Sequence, residues 1–434
     1  MTNQQVYRAQ ILHFISEPKD NVDFGACAHI NDGFLLVRDG KVAALGAFAD
    51  LSKTIPENVE VVDYRNFLIV PGFIDAHIHF PQIEVIASYG EQLLTWLNEY
   101  VFPTERKYAD QEYAFKMADV FLKELFKNGT TTALTYTTVH KSSAEALFER
   151  AQESRMRLIA GKITMDRNAP NYLLDTAKTA YDDSKALIEK WHNKDRLSYV
   201  ITVRFAPTST EGQMEVMGAL HKEYNDVYLQ THLAENLDEL AWVKQLYPSS
   251  KDYTDVYDVY GLLGERSIFA HSIHLSDREH KRLAESDSVL AWCPSANFFL
   301  GSGLFNLGKA RDFNNKVALG SDVGAGTSFS MLNILSEAYK MAALQNIKFS
   351  PLRSFYKITL GNARALGLDS KIGNFELGKE ADFVVLDPNA TDILSLKNSR
   401  ANNLSELLFN LIMLGNNRAV KATYVYGGKV FAAA

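Results

Sequence analysis

His77 and His79 end the run FIDAHIH two residues apart, and on a strand alternate side chains share a face, so both imidazoles would project into one space. Alone, such a pair is as readily two unrelated histidines at a strand end. Further along, His232 ends VYLQTH, His271 ends SIFAH one strand-and-helix unit later, and Asp322 ends VALGSD. Each stands where an apolar run gives way to polar residues. Singly, each has a structural explanation; four histidines and an aspartate all at strand ends are better explained together. Imidazole and carboxylate donors suit Zn²⁺, and Fe²⁺ stays open because the same donors serve it. A zinc that keeps one open position lowers the pKa of its bound water to about 7 and supplies hydroxide at neutral pH. Glu235 follows His232 by three residues in HLAE. If a helix starts there, both side chains face one way and the glutamate is a candidate acid–base group. Its competing explanation is a carboxylate complementing the helix dipole.

Those residues need strands to carry them. Eight apolar runs fit, at 73–79, 131–137, 157–165, 199–205, 227–232, 267–271, 289–293 and 317–322, with helical stretches such as 112–127 and 274–286 between them. Eight strand-then-helix units predict an α/β fold, a parallel (β/α)₈ TIM-like barrel, with its chemistry at the C-terminal strand ends. The alternative, a doubly wound open sheet, lacks a GxGxxG turn. On this numbering His77 and His79 lie on the first strand, Arg204 on the fourth, His232 on the fifth, His271 on the sixth and Asp322 on the eighth. In some two-metal barrels a carbamylated lysine on the fourth strand bridges the ions. A guanidinium cannot take that part, so one metal per chain is expected, and Lys162 on the third strand reads as structural. Of the other histidines (13, 29, 140, 192, 221, 274 and 280) only His140, just after the second strand, is placed for a supporting role.

The chain ends read differently. Residues 34–38 and 41–45 around Asp39-Gly40 form a hairpin pattern, 381–387 reads as a buried strand, and 423–431 as two strands around Gly427-Gly428. A small β-sandwich domain built from both termini is therefore expected, from 1–69 and 366–434, flanking a barrel at 70–365. The 434 residues carry 52 acidic and 45 basic side chains, a net charge of −7, with no Lys/Arg-rich block, which argues against nucleic acid as a partner. Two isolated cysteines, Cys27 and Cys293, suit a reducing compartment. The start MTNQQVYRAQILHF has no basic segment leading into an apolar one, and no apolar run nears the roughly 18 residues of a membrane span, so a cytoplasmic protein with no membrane partner is expected.

With these residues in place, the sequence resembles the amidohydrolase superfamily over essentially its whole length, through PGFIDAHIH, HLAE, the sixth-strand histidine, GSDVG, DGKVAALG and LGKEADFVVLD. HLAE is similar to the deaminases among them. The stretch HIHFPQ…YGEQLLTWLNEYVFPTE, together with VRFAPTST and NFFLGSGLF, resembles the bacterial guanine deaminase family. The resemblance implies a homodimeric, zinc-dependent enzyme of purine metabolism that hydrolyses guanine to xanthine and ammonia. It implies His77, His79, His232 and Asp322 as metal ligands, Glu235, Asp322 and His271 as the catalytic groups, and Gln82, Arg204 and Phe205 holding the base, bordered by His232, His271 and Asp322. The implied chemistry has Asp322 take a proton from the activated water, His271 steer it, and Glu235 protonate the purine at N3. Two other functions stay open: a related aminohydrolase acting on 8-oxoguanine, a modified adenine, cytosine or a triazine, and a catalytically dead barrel serving as a scaffold. The metal ligands argue against the second.

Overall fold

The structure, a computed structural model, describes residues 4–55, 59–90 and 92–433. Glu91, inside one of the stretches that carry the resemblance, lies outside the described residues. Both chain ends form strands: β1 (Gln4–Phe14), β2 (Cys27–Arg38), β3 (Lys41–Ala47) and β4 (Val61–Pro71) come from the first. After Gly72 the central strands follow: β5 (Phe73–His79), β6 (Thr130–Tyr136), β7 (Arg157–Gly161), β8 (Ile163–Thr164), β9 (Leu197–Val203), β10 (Tyr228–Leu233), β11 (Ser267–His271), β12 (Val289–Trp292) and β13 (Lys316–Leu319). The far end adds β14 (Phe383–Leu386), β15 (Val420–Val425) and β16 (Gly428–Ala432).

The terminal strands make one continuous mixed sheet in the order β16-β15-β14-β4-β1-β2-β3. One face holds a core centred on Tyr7, Phe383 and Tyr424, the last two rings stacked with centroids 4.3 Å apart. The β2–β3 hairpin turns on Asp39 and Gly40, both at positive φ (51° and 79°), the type I′ geometry that matches strand twist. The β15–β16 hairpin turns on Tyr426 and Gly427 (48° and 74°), one residue earlier than the sequence suggests, because the I′ loop needs two consecutive left-handed residues and Gly428 already pairs with Val425.

The central strands run parallel in the order β13-β12-β11-β10-β9-β7-β6-β5. β5, β6, β7 and β9 are buried at every residue, as expected for strands with side chains packed inside the barrel and helices outside. The run expected at 157–165 is broken at Lys162. Val200 O approaches Gly161 so closely that a Cβ would meet it at 1.7 Å, and Lys162 N turns to Tyr199 Oη at 3.3 Å; β8 then resumes the same register on β9.

The seam between β13 and β5 closes by other means. Asn362 Nδ2 donates to Ile74 O (2.7 Å) and Leu319 O (2.8 Å), while its Oδ1 accepts from Leu319 N (2.9 Å). Asp75 Oδ1 accepts from Ser321 N and His77 N, Asp322 N donates to His77 O (2.8 Å), and His79 N donates to Val323 O (2.7 Å). Gly320 permits this approach: a Cβ there would lie 2.7 Å from His77 Cβ. Among the described residues no helix is long and apolar enough to cross a membrane.

Candidate active site

Each first-strand histidine inherits its direction from β5, whose alternation sends His77 and His79 to one face. His232 lies near the end of β10, held by its Nδ1 contact to Arg204 O at 2.6 Å. Asp322 lies three residues beyond β13 in a left-handed backbone conformation, φ 53°, fixed by its N–H bond to His77 O. These turns bring four donor atoms together. His79 Nε2 is 3.2 Å from His77 Nε2, 3.2 Å from His232 Nε2 and 3.2 Å from Asp322 Oδ1, and His77 Nε2 is 3.2 Å from the same oxygen. Donors at 2.0–2.1 Å from a tetrahedral ion stand about 3.3 Å apart, so this set fits a metal without rearrangement. Burial holds His79 down at about 3 and His232 well below its ordinary value, so both rings present lone pairs at neutral pH.

Glu235 and His271 stand beside the cluster. The sequence suggests a helix beginning at HLAE; instead the chain turns at Ala234 (φ 53°), and Asn236 caps the helix Leu237–Leu246 with Glu239 in a capping box. Glu235 therefore precedes the helix, and the turn aims its carboxyl. Burial, and after it the charge of Asp322, pushes that carboxyl up to about 8; a hydrogen bond from Ser302 Oγ to Oε1 (3.1 Å) acts the other way. Its Oε2 is 3.4 Å from His271 Nε2, which lies 3.7 Å from Asp322 Oδ2, longer than a hydrogen bond. His271 Nδ1 contacts Asn297 Oδ1 at 3.0 Å; an amide oxygen only accepts, so Nδ1 carries the hydrogen and Nε2 faces the carboxylates.

Gln82, Arg204, Phe205, His79, His232, Glu235, His271 and Asp322 line one cavity, roofed by Leu93, Trp96 and Leu97 from a helical run at 93–105. Arg204 and Phe205 follow directly on β9. Both oxygens of Glu105, which has no exposed surface, accept from Arg204 Nη1 at 2.9 and 2.8 Å. The Gln82 amide lies 3.3 Å from Glu105 Oε1 and 3.2 Å from His79 Nδ1, linking Arg204's partner to the histidine cluster. Lys162 is engaged elsewhere, 2.6 Å from Asp175 Oδ2, and His140 stands near it at the start of the helix Lys141–Glu153.

The amidohydrolase family profile matches residues 68–430. Guanine deaminase of Escherichia coli is 52% identical over 94% of this chain and 92% of that protein, and its structure superposes with a TM-score of 0.96 at 48% identity over the whole of both chains. The chain belongs to the amidohydrolase family. Guanine deaminase from C. acetobutylicum, solved with guanine bound in its active site, is 31% identical with a TM-score of 0.88 over 99% of this chain and 100% of that one. An adenosine deaminase from Xanthomonas campestris with bound zinc shares the fold at 20% identity, covering 99% of this chain and 93% of that one with a TM-score of 0.82.

This amidohydrolase therefore has the metal-dependent chemistry of its family and a set of His and Asp donors that could hold the ion. Sequence reasoning assigned nothing to Glu105, Asn297 or Ser302, which contact Arg204, His271 and Glu235. All three lie inside stretches that carry the resemblance, YVFPTE and NFFLGSGLF, but partner choice across the barrel mouth leaves no periodic trace in a sequence.

Proposed function

We propose that this amidohydrolase binds guanine in the cavity and hydrolyses it to xanthine and ammonia, with one zinc ion per chain held by His77, His79, His232 and Asp322. The observation that carries the reading is Arg204. Both Glu105 contacts come from Nη1, which leaves Nε and Nη2 for a ligand, and the guanidinium lines the same cavity as Glu235, His79, His232 and Asp322. A guanidinium has only donors, so it suits the O6 carbonyl of guanine and disfavours the amino group that adenine presents there. Gln82 meets a ring edge, and Phe205, whose ring faces Trp242 with centroids 6.3 Å apart, lines the slot for the flat base.

When bound, the metal supplies a water made acidic enough to act as a nucleophile near neutral pH. Asp322 takes the proton of that water. As water adds to C2, Glu235, which burial keeps protonated, donates to N3, so charge on the ring is neutralised as it forms. His271 stands between the two carboxylates, oriented by Asn297, and can carry a proton from one to the other. The proton taken by Asp322 reaches the amino nitrogen by way of His271, and ammonia leaves as the new C2 hydroxyl returns its proton to Glu235 and becomes a carbonyl. The homodimer implied by the resemblance belongs to the same reading and is tested by sedimentation equilibrium.

Ammonia release from guanine, adenine, cytosine and hypoxanthine tests the substrate. Guanine is turned over; adenine is neither deaminated nor a good competitor, because a site built around a hydrogen bond rejects the analogue lacking it by about 10⁴–10⁵. Hypoxanthine binds without reacting. Preference for adenine or cytosine would overturn the assignment. Elemental analysis after one equivalent of zinc is added should find it retained in the native chain and lost in His77→Ala and His232→Ala.

A further inference from the structure

Cys293 follows β12 directly, between His271 at the end of β11 and Asp322 beyond β13, and no step of the deamination uses it. The strands are neighbours in the barrel, so the three residues stand side by side, all buried, with ligand-capable atoms within 4.8 Å of one another. The set shares Asp322 with the four-donor cluster. Asp322 turns Oδ1 to His77 and His79 and Oδ2 towards His271. His271 Nδ1 is engaged with Asn297 Oδ1, which leaves Nε2 facing the carboxylates. The Cys293 thiol makes a weak contact to Ala291 O, at 3.6 Å, and meets the His271 backbone. Together the three residues offer one nitrogen, one sulfur and one carboxylate oxygen, and Glu235 Oε2 lies 3.4 Å from His271 Nε2.

We propose that His271, Cys293 and Asp322 Oδ2 form a second, inhibitory site for a thiophilic divalent cation such as Zn²⁺, Co²⁺ or Cd²⁺. Sulfur with imidazole and carboxylate selects these ions over Mg²⁺ and Ca²⁺, which prefer oxygen alone. The thiol proton passes to solvent as the sulfur–metal bond forms. A second ion bridged by Asp322 to the first is repelled by it, so this site fills only when metal is in excess. Occupancy ties up Asp322 Oδ2 and His271, two of the groups that move protons in deamination. Excess metal therefore stops turnover without displacing the first ion. This rests on the reading that Asp322 Oδ1 faces that first ion.

Protein loaded with one equivalent of Co²⁺ is titrated with further Co²⁺, following bound metal by equilibrium dialysis, thiolate-to-cobalt charge-transfer absorption and guanine turnover. The native chain takes up a second equivalent, develops the absorption band with it, and loses at least tenfold in rate; Mg²⁺ produces none of this. Cys293→Ala and the near-isosteric Cys293→Ser keep one equivalent and their basal rate, show no band, and need at least tenfold more Co²⁺ for the same inhibition. A native chain that binds no second equivalent, or cysteine variants that bind it and respond as the native chain does, overturns the proposal. Failure to hold even the first equivalent would instead refute the four-donor reading, so the two outcomes are distinct.

Discussion

Glu235 illustrates how a side chain's chemistry is set by what surrounds it. Exposed, a glutamic acid is ionised at neutral pH and cannot donate a proton; buried beside Asp322 it holds the proton to about pH 8. Glu235→Gln keeps the shape and the hydrogen bond from Ser302 but cannot shuttle the proton. Zinc content and Tm should be unchanged while kcat on guanine falls by roughly 10²–10⁴. Near-native kcat would remove Glu235 from the proton path. Glu105 makes a different kind of contribution. It is the partner that fixes Arg204, and removing one member of a buried ion pair typically costs about 3–5 kcal/mol because the other is stranded. Glu105→Gln should retain the metal yet lower kcat/KM for guanine at least tenfold, mainly through KM; steady-state kinetics within twofold of native would show that Arg204 needs no such partner. The sequence could suggest Arg204 because it stands at a strand end, but Glu105 lies 99 positions away on the roof, and only folding brings them together.

Among the elements, the eight barrel runs were legible because parallel strands buried on both sides are written as near-continuous apolar stretches. What the sequence concealed lay between strands: the break at Lys162, the roof at 93–105, and the helix that starts after Glu235 rather than with it. The barrel seam was equally hidden, since a single amide from beyond the last barrel helices does the work of several ladder bonds. Asn362 satisfies Ile74 O, Leu319 O and Leu319 N at once. Asn362→Ala leaves these buried groups without partners, at about 1–3 kcal/mol for each group that water cannot reach. The urea midpoint should fall clearly, and zinc affinity with it, because Asp322 and the first-strand histidines face one another across this seam. Unfolding curves and metal titration of the variant check this. Loss of stability with unchanged metal affinity would mean the seam and the ligand set are independent.

At the scale of the whole molecule, the terminal sheet and the barrel share one apolar core in which Leu12, Phe14, Val384 and Val420 pack with barrel residues such as Phe73 and Phe126. Arg157 and Arg196 at the starts of two barrel strands both bond Glu380 Oε2, at 3.0 and 2.9 Å, and Arg196 also pairs with Asp382. His13 lies on β1 between Leu12 and Phe14, pointing to the sheet's other face, with its ring centroid 5.7 Å from that of Phe375 and its Nδ1 buried without a hydrogen bond among the described residues. Burial lowers its pKa to about 4, against which the nearby Glu376 acts only partly. In the unfolded chain the same ring titrates near 6.5. The unfolded state therefore binds the proton first, and the stability that neutral His13 permits is full above pH 6.5 and drains away as the pH falls towards 4. Between pH 7 and 5 this amounts to about 2 kcal/mol. His13→Phe, which fills the site with a ring that cannot charge, should lose about that much less stability over the same interval. Urea unfolding of zinc-loaded protein at both pH values measures it, with the metal-bound histidines common to both chains and cancelling in the comparison. Equal losses in the two proteins would mean that this face of the terminal sheet takes up an imidazolium at little cost, through Glu376 or by admitting water.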